Sequence, residues 1–277
     1  MQILKIDSFT EKNDPPFLKK ENTWVRTKGL IDLQVNGFAG VDFNTPGITR
    51  DSLEYCLKKM LASGVTTCLP TIITASLPHL KSCLSNLESA RKSSELAKTM
   101  IPGYHLEGPF ISKLSGFSGC HPVDDISVID EDVFSMLQDA AGGNINLVTL
   151  APELEGALEF IKKLVHDGII VALGHTAAGS NKIREAIKAG ASLSTHLGNG
   201  TSSELTKDDN PIVAQLGEDE LSASFIADGY HIPPNVLKVY LRSKCSERIV
   251  LISDATAGAS AKHGSYRLGN IEILAGS

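Results

Sequence analysis

No Cys-x-x-Cys pair occurs in the chain, and its five cysteines, Cys56, Cys68, Cys83, Cys120 and Cys245, are odd in number. A disulfide framework or a cysteine zinc site is therefore not expected, and a reducing, cytoplasmic compartment is the simpler reading. No apolar run approaches the ~20 residues that a membrane helix needs. The opening stretch MQILKIDSFTEKND lacks the basic and apolar regions of a signal peptide. An excess of positive charge is also missing: 26 Lys and Arg stand against 32 Asp and Glu, a formal net charge of −6. That balance disfavours nucleic acid and anionic membranes as partners, while a local pocket can still hold an anionic small molecule. No Gly-x-Gly-x-x-Gly follows the first strand candidate, which weakens a dinucleotide-binding reading. Internal repeats and low-complexity segments are absent too.

What is present fits one large globular core. The chain has 277 residues, 42% hydrophobic and 21% charged. Short, mostly continuous apolar runs predict strands at Gly29–Val35, Val65–Leu69, Ile101–Leu106, Asn146–Leu150, Ile169–Leu173, Ala191–Thr195, Ala223–Ala227 and Arg248–Ser253. Helical patterns fall between them, near Asp51–Ser63, Leu77–Leu96, Ser127–Ala140, Glu153–His166, Asn181–Ala189, Asn210–Gly217 and Pro234–Arg242. Asp51 and Pro152 mark starts, and Gly64, Gly168 and Gly190 mark ends. Alternating β and α units imply a parallel sheet, and eight of them imply an α/β, TIM-type (β/α)8 barrel over residues 29–258. Nothing helical follows the eighth strand; a β-like tail over residues 259–277 is expected instead. The last barrel helix is therefore expected to be missing. Residues 1–28 are expected to form a peripheral segment.

In such barrels the chemistry sits where the strands end. Polar residues recur there: Gln34 and Asn36, His105 and Glu107, His175, His196 with Asn199, Asp228 and His231, and Asp254. Glu107, His175 and His196 form a candidate metal set, since one carboxylate and two imidazoles suit Zn²⁺ and leave positions open for water. Asp254 is the candidate proton carrier. His121 and His231 are candidates for holding substrate or stabilising an oxyanion. Plainer roles stand beside these. Glu107 could pair with a loop lysine, and Asp254 could cap the missing helix. The Gly198–Gly200 stretch could serve only a tight turn or offer backbone N–H groups to an anion. His105 is expected to face away from Glu107 in a structural role. His79, His166 and His263 are read as surface or packing residues.

The motifs Gly29–Gly37, His105–Phe110, Leu150–Glu153, Gly174–Thr176, Thr195–Leu197, Ala227–His231 and Ser253–Ala255 occur in an order that resembles the N-acetylglucosamine-6-phosphate deacetylases of the amidohydrolase superfamily. The resemblance implies a metal-dependent deacetylase barrel whose small β-sandwich is mostly missing here. It implies Glu107, His175 and His196 as ligands of one divalent ion, Zn²⁺ or else Fe²⁺ or another divalent metal. Asp254 and His121 match the catalytic aspartate and the histidine at the acetamido group. Asn199, Gly200, Lys207 and His231 match the sugar-phosphate site, with Lys207 in place of an arginine that reaches a neighbouring subunit, so a homodimer is implied. Gln34 and Asn36 replace a His-x-His pair, which implies the one-metal type. The rival expectations are an amidohydrolase for another N-acyl or cyclic amide, and a non-catalytic fragment that binds metal or sugar.

Overall fold

The computed structural model describes residues 28–275. Nearly all of the peripheral segment expected over residues 1–28 lies outside that range, as do residues 276–277.

Eight parallel strands form one sheet in the order β1 (Leu30–Val35), β4 (Val65–Ile73), β5 (Tyr104–Glu107), β6 (Ile145–Leu150), β7 (Ile170–Leu173), β8 (Leu193–Ser194), β9 (Ser222–Ile226) and β10 (Ile249–Ile252). Two short hairpins lie outside it: β2 (Gly37–Phe38) with β3 (Val41–Asp42), and β11 (Gly264–Leu268) with β12 (Ile271–Ala275). The sheet curls until its first and last strands meet. A parallel bridge joins Val35 to Ala255, and Asp254 N donates to Gln34 O at 3.0 Å while Asn36 N donates to Ala255 O at 2.7 Å. The seam is therefore tied at the end where the strands finish. The expected barrel is the observed architecture.

Helices α1 (Arg50–Ala62), α2 (Leu77–Lys92), α3 (Glu95–Met100), α4 (Glu131–Ala140), α5 (Ala157–His166), α6 (Ser180–Ala189), α7 (Pro211–Leu216) and α8 (Pro234–Ser243) follow the strands. Local chemistry fixes their ends. Thr49 and Ser52 form a capping box at α1, Asp130 accepts from the first N–H groups of α4, and Asn210 does the same for α7 ahead of Pro211. Between helices and sheet lies the main core, with Leu53, Leu57, Leu84, Leu87, Phe160, Leu164 and Leu173 all buried. Inside the barrel, Leu69, Leu147, Ala172 and Leu193 cluster with Leu33 and Val250, so six strands contribute to one apolar layer. Two residues further along their strands, on the same face, Thr71, Thr149 and Thr195 join His105 in a polar layer.

Several expected boundaries move. The helix expected over Leu77–Leu96 is two, because Ser94 turns its hydroxyl to Ala97 N and starts α3 anew. The third strand begins at Tyr104 rather than Ile101, since α3 runs to Met100 and Ile101 caps it. The helix expected from Glu153 starts at Ala157, after the left-handed Gly156, and the sixth strand is only two residues long. Among the described residues no helix follows β10. The outer faces of the two seam strands are wet: Leu30 and Leu251 are 58% and 56% exposed. The tail forms the β11–β12 hairpin, which folds back so that Gly269 N donates to Asp42 at 2.9 Å.

Candidate metal centre

Glu107 is the last residue of β5, His175 follows β7, His196 follows β8 and Asp254 follows β10. The barrel brings all four to its tied end. One oxygen of Glu107, Oε1, lies 2.8 Å from His196 Nε2 and 3.3 Å from His175 Nε2. The three ligand-type atoms lie within 4.8 Å of one another and all three residues are buried. Gln34 spans the gap to the fourth, its Nε2 donating to Glu107 Oε1 at 3.1 Å and to Asp254 Oδ1 at 3.0 Å. Asn36 Nδ2 donates to the same Asp254 oxygen at 2.7 Å, and its own Oδ1 is buried with no partner among the described residues.

The donor set fits a cation. His175 Nδ1 is 2.8 Å from the Phe117 carbonyl, which can only accept, so Nδ1 carries the proton and Nε2 presents its lone pair to the cluster. Without a cation the site neutralises itself. Burial alone would raise the Glu107 carboxyl, but the charge of His196 and the hydrogen bond from it hold the carboxyl well below its usual range. Burial would lower His196, and the Glu107 carboxylate outweighs it, pushing the imidazole up to about 9. Asp254 is pushed up to about 6, mainly by burial; His196 opposes this and Glu107 adds to it.

His121 lies beside the cluster, its ring centroid 4.3 Å from that of His175. Burial first, then the neighbouring His175, push it down to about 3, so it is neutral. Thr74 N donates to its Nδ1 at 3.3 Å and the Thr74 hydroxyl is 2.7 Å away. Nδ1 is therefore the acceptor, and Nε2–H is the free donor.

Three of these residues have backbones in the left-handed region: His175 at φ +50°, His196 at +29° and Asp254 at +48°. Such conformations cost about 1–3 kcal/mol each outside glycine and persist only where the surroundings fix them. His196 N donates to Ser224 Oγ at 2.8 Å. Ser253, next to Asp254, donates both its N–H and its hydroxyl to Asp32 across the seam. Gly200, at φ +56°, abuts the His175 ring so closely that a Cβ there would stand 2.5 Å from it. Gly200 is thus a packing surface for His175.

The other candidates stay apart from the cluster. Asn199 is bound back onto His196 O through Nδ2 at 3.1 Å. His231 pairs with Asp228 at 2.7 Å on the rim. Lys207 is 93% exposed, its ammonium 3.9 Å from Asp208. His105 is corrected: it shares the face of Glu107 rather than turning away, and sits buried beneath it with Nε2 2.7 Å from Thr149 Oγ1. Asp254 caps no helix among the described residues, and no lysine pairs with Glu107 there. Sequence reading assigned no role to Asp32, Thr74, Phe117, Ser224 or Ser253. Asp32 and Ser253 lie inside quoted motifs, but their pairing depends on the seam.

A closed parallel barrel with a carboxylate, two imidazoles and a further aspartate at its strand ends defines a hydrolase fold of the metal-binding kind. The chain belongs to the amidohydrolase family, whose sequence profile matches residues 27–257. Within it, the chain is similar to N-acetylglucosamine-6-phosphate deacetylase of Bacillus subtilis, 33% identical over 269 residues, 95% of this chain and 67% of that one. It is also similar to N-acetylgalactosamine-6-phosphate deacetylase of Shewanella, 33% identical over 82% of this chain and 56% of the other. The structure of N-acetyl-D-glucosamine-6-phosphate deacetylase from Mycobacterium smegmatis, in complex with N-acetyl-D-glucosamine-6-phosphate, superposes with a TM-score of 0.80 at 32% identity, covering 89% of this chain and 62% of that one. The chain thus spans about three fifths to two thirds of the length of such relatives.

Proposed function

We propose that this barrel is the catalytic part of a metal-dependent deacetylase that converts N-acetylglucosamine 6-phosphate to glucosamine 6-phosphate and acetate. The observation that carries the reading is the convergence of Glu107, His175 and His196 opposite an Asp254 that Gln34 and Asn36 hold in place. Glu107, His175 and His196 would hold one divalent ion, assigned here as Zn²⁺; such an ion supplies Lewis acidity towards a carbonyl and lowers the pKa of water towards ~7. Asp254 accepts a proton from the attacking water at its carboxylate and returns it to the leaving amide nitrogen. His121 donates Nε2–H to the acetamido oxygen as negative charge develops there. Asn199, Gly200 and His231 border the sugar phosphate. Lys207, exposed as it is, would meet the phosphate at the rim or from a second subunit, in keeping with a homodimer.

The names of the relatives support the substrate class. The five free cysteines, three of them buried, support a reducing cytoplasm. No described helix is long and apolar enough to cross a membrane. The Shewanella relative favours one second reading, the galactosamine epimer of the same substrate. The test is acetate release from N-acetylglucosamine 6-phosphate, its galactosamine epimer and the unphosphorylated sugars, with metal content measured on the same 277-residue protein. One bound ion and turnover confined to a 6-phosphate are expected. Metal-replete protein that is inert towards all four sugars would overturn the reading.

A further inference from the structure

The loop that carries His175 is held by a side chain from the neighbouring strand end. Strand β7 stops at Leu173 and α6 begins at Ser180, so residues 174–179 have no ladder of their own. At its far end the loop is fixed by Asp209, which accepts from Ser180 N and Oγ at 2.8 and 2.7 Å. Just after His175 it is fixed by Glu153. The Thr176 hydroxyl donates to Glu153 Oε2, and Ala177 N donates to Oε1 at 2.8 Å. Ala178 N then donates to Thr176 Oγ1 at 3.0 Å. Thr176 is buried, so without Glu153 its hydroxyl would lack this partner. Glu153 sits in the turn after β6, and that turn is itself tied to the loop beyond Glu107 by Ala151 N donating to Phe110 O at 2.9 Å. The clasp therefore links the chain segments that carry two of the three converging ligands.

We propose that Glu153 is a positioning residue for His175, keeping its left-handed backbone and Nε2 directed at the Glu107 oxygen. This rests on the reading of Glu107, His175 and His196 as ion ligands. Both ends of the strained residue are otherwise set by single backbone bonds, Gly174 N to Leu150 O at 3.2 Å and Ser112 N to His175 O at 2.9 Å. A carboxylate that fixes the next two residues removes the remaining freedom of the turn.

The test compares wild-type protein with E153A, E153Q and T176V. It reads Zn²⁺ affinity by chelator competition, the visible spectrum of the Co²⁺-loaded protein, and the fold by circular dichroism. Loss of such an outer partner lowers metal affinity about 10–100-fold, so E153A is expected in that range, with an altered Co²⁺ spectrum and a native fold. Glutamine can still accept from Ala177 N and donate to Thr176 Oγ1, so E153Q is expected within about threefold of wild type, and T176V between the two. Wild-type affinity and spectrum in E153A would overturn the proposal, as would a loss in E153Q equal to that in E153A. If E153A does not fold, T176V decides: an intermediate loss supports the clasp and none overturns it. Folded wild-type protein that binds no metal would end the ligand reading and this inference with it, whereas metal-binding wild type beside an indifferent E153A ends the inference alone.

Discussion

Asp254 receives two amide N–H groups on one oxygen, from Gln34 and Asn36, and its backbone takes a left-handed turn to reach them. Asn in its place is nearly isosteric but cannot accept a proton. Asp254→Asn is expected to retain metal while turnover falls about 10²–10⁴-fold, the usual contribution of a general acid–base. Parallel metal analysis and steady-state kinetics check this; turnover near the wild-type level would remove Asp254 from proton transfer. Which residues meet at this site was legible in the sequence, because Glu107, His175, His196 and Asp254 each stand within two residues of the end of an expected strand. What holds them was not. Asp32 and Ser253 are 221 positions apart and meet only because the sheet closes. Lys207 was read from its place in a motif order, and that order carries no information about exposure.

At the scale of elements, Glu88 on α2 ties three pieces together. It accepts from Arg91 on its own helix, from the Tyr104 hydroxyl of β5 at 2.7 Å, and from Asn144 before β6 at 3.2 Å. Burial would raise its carboxyl, yet the hydrogen bonds from Arg91, Tyr104 and Lys92 prevail and hold it below its ordinary 4.5. A carboxylate with a lowered folded pKa stabilises the fold above its unfolded value, and that contribution is lost as pH falls through the folded value. Glu88→Gln is therefore expected to lower unfolding stability at pH 7 by about 2 kcal/mol, the scale of hydrogen bonds to a charged group. It should also flatten the loss of stability below pH 4.5. Urea titrations of both proteins from pH 3 to 7 provide the measurement, and parallel acid limbs would contradict the assignment. The existence of these elements was legible from apolar runs and helical periods. Their ends were not: the polar stretch Arg91–Glu95 could equally be one exposed turn of a continuous helix, and it is the Ser94 hydroxyl, accepting from Ala97 N, that starts α3 anew.

For the whole molecule, two kinds of apolar surface have opposite consequences. Phe160, packed edge-on against Phe110 and Phe134 at 5.5 Å, belongs to the core, and Phe160→Ala should cost about 3–5 kcal/mol. Leu30 and Leu251 face outward on the seam strands. Changing both to Lys is expected to lower binding of a hydrophobic dye to the native protein while the melting temperature changes by no more than about 2 °C, since little buried area is lost. A melting temperature lowered as far as that of Phe160→Ala would show that these leucines are buried in solution.

The join between Val35 and Ala255 brings Asp254 into reach of Gln34. Three of the four central groups hang from strands in the unbroken run β5 to β8, while Asp254, the proposed proton carrier, arrives with the final one. On the proposed reading, an opened cylinder would keep its three ion ligands together and yet be chemically silent, and closure itself would be the last step in making the protein competent.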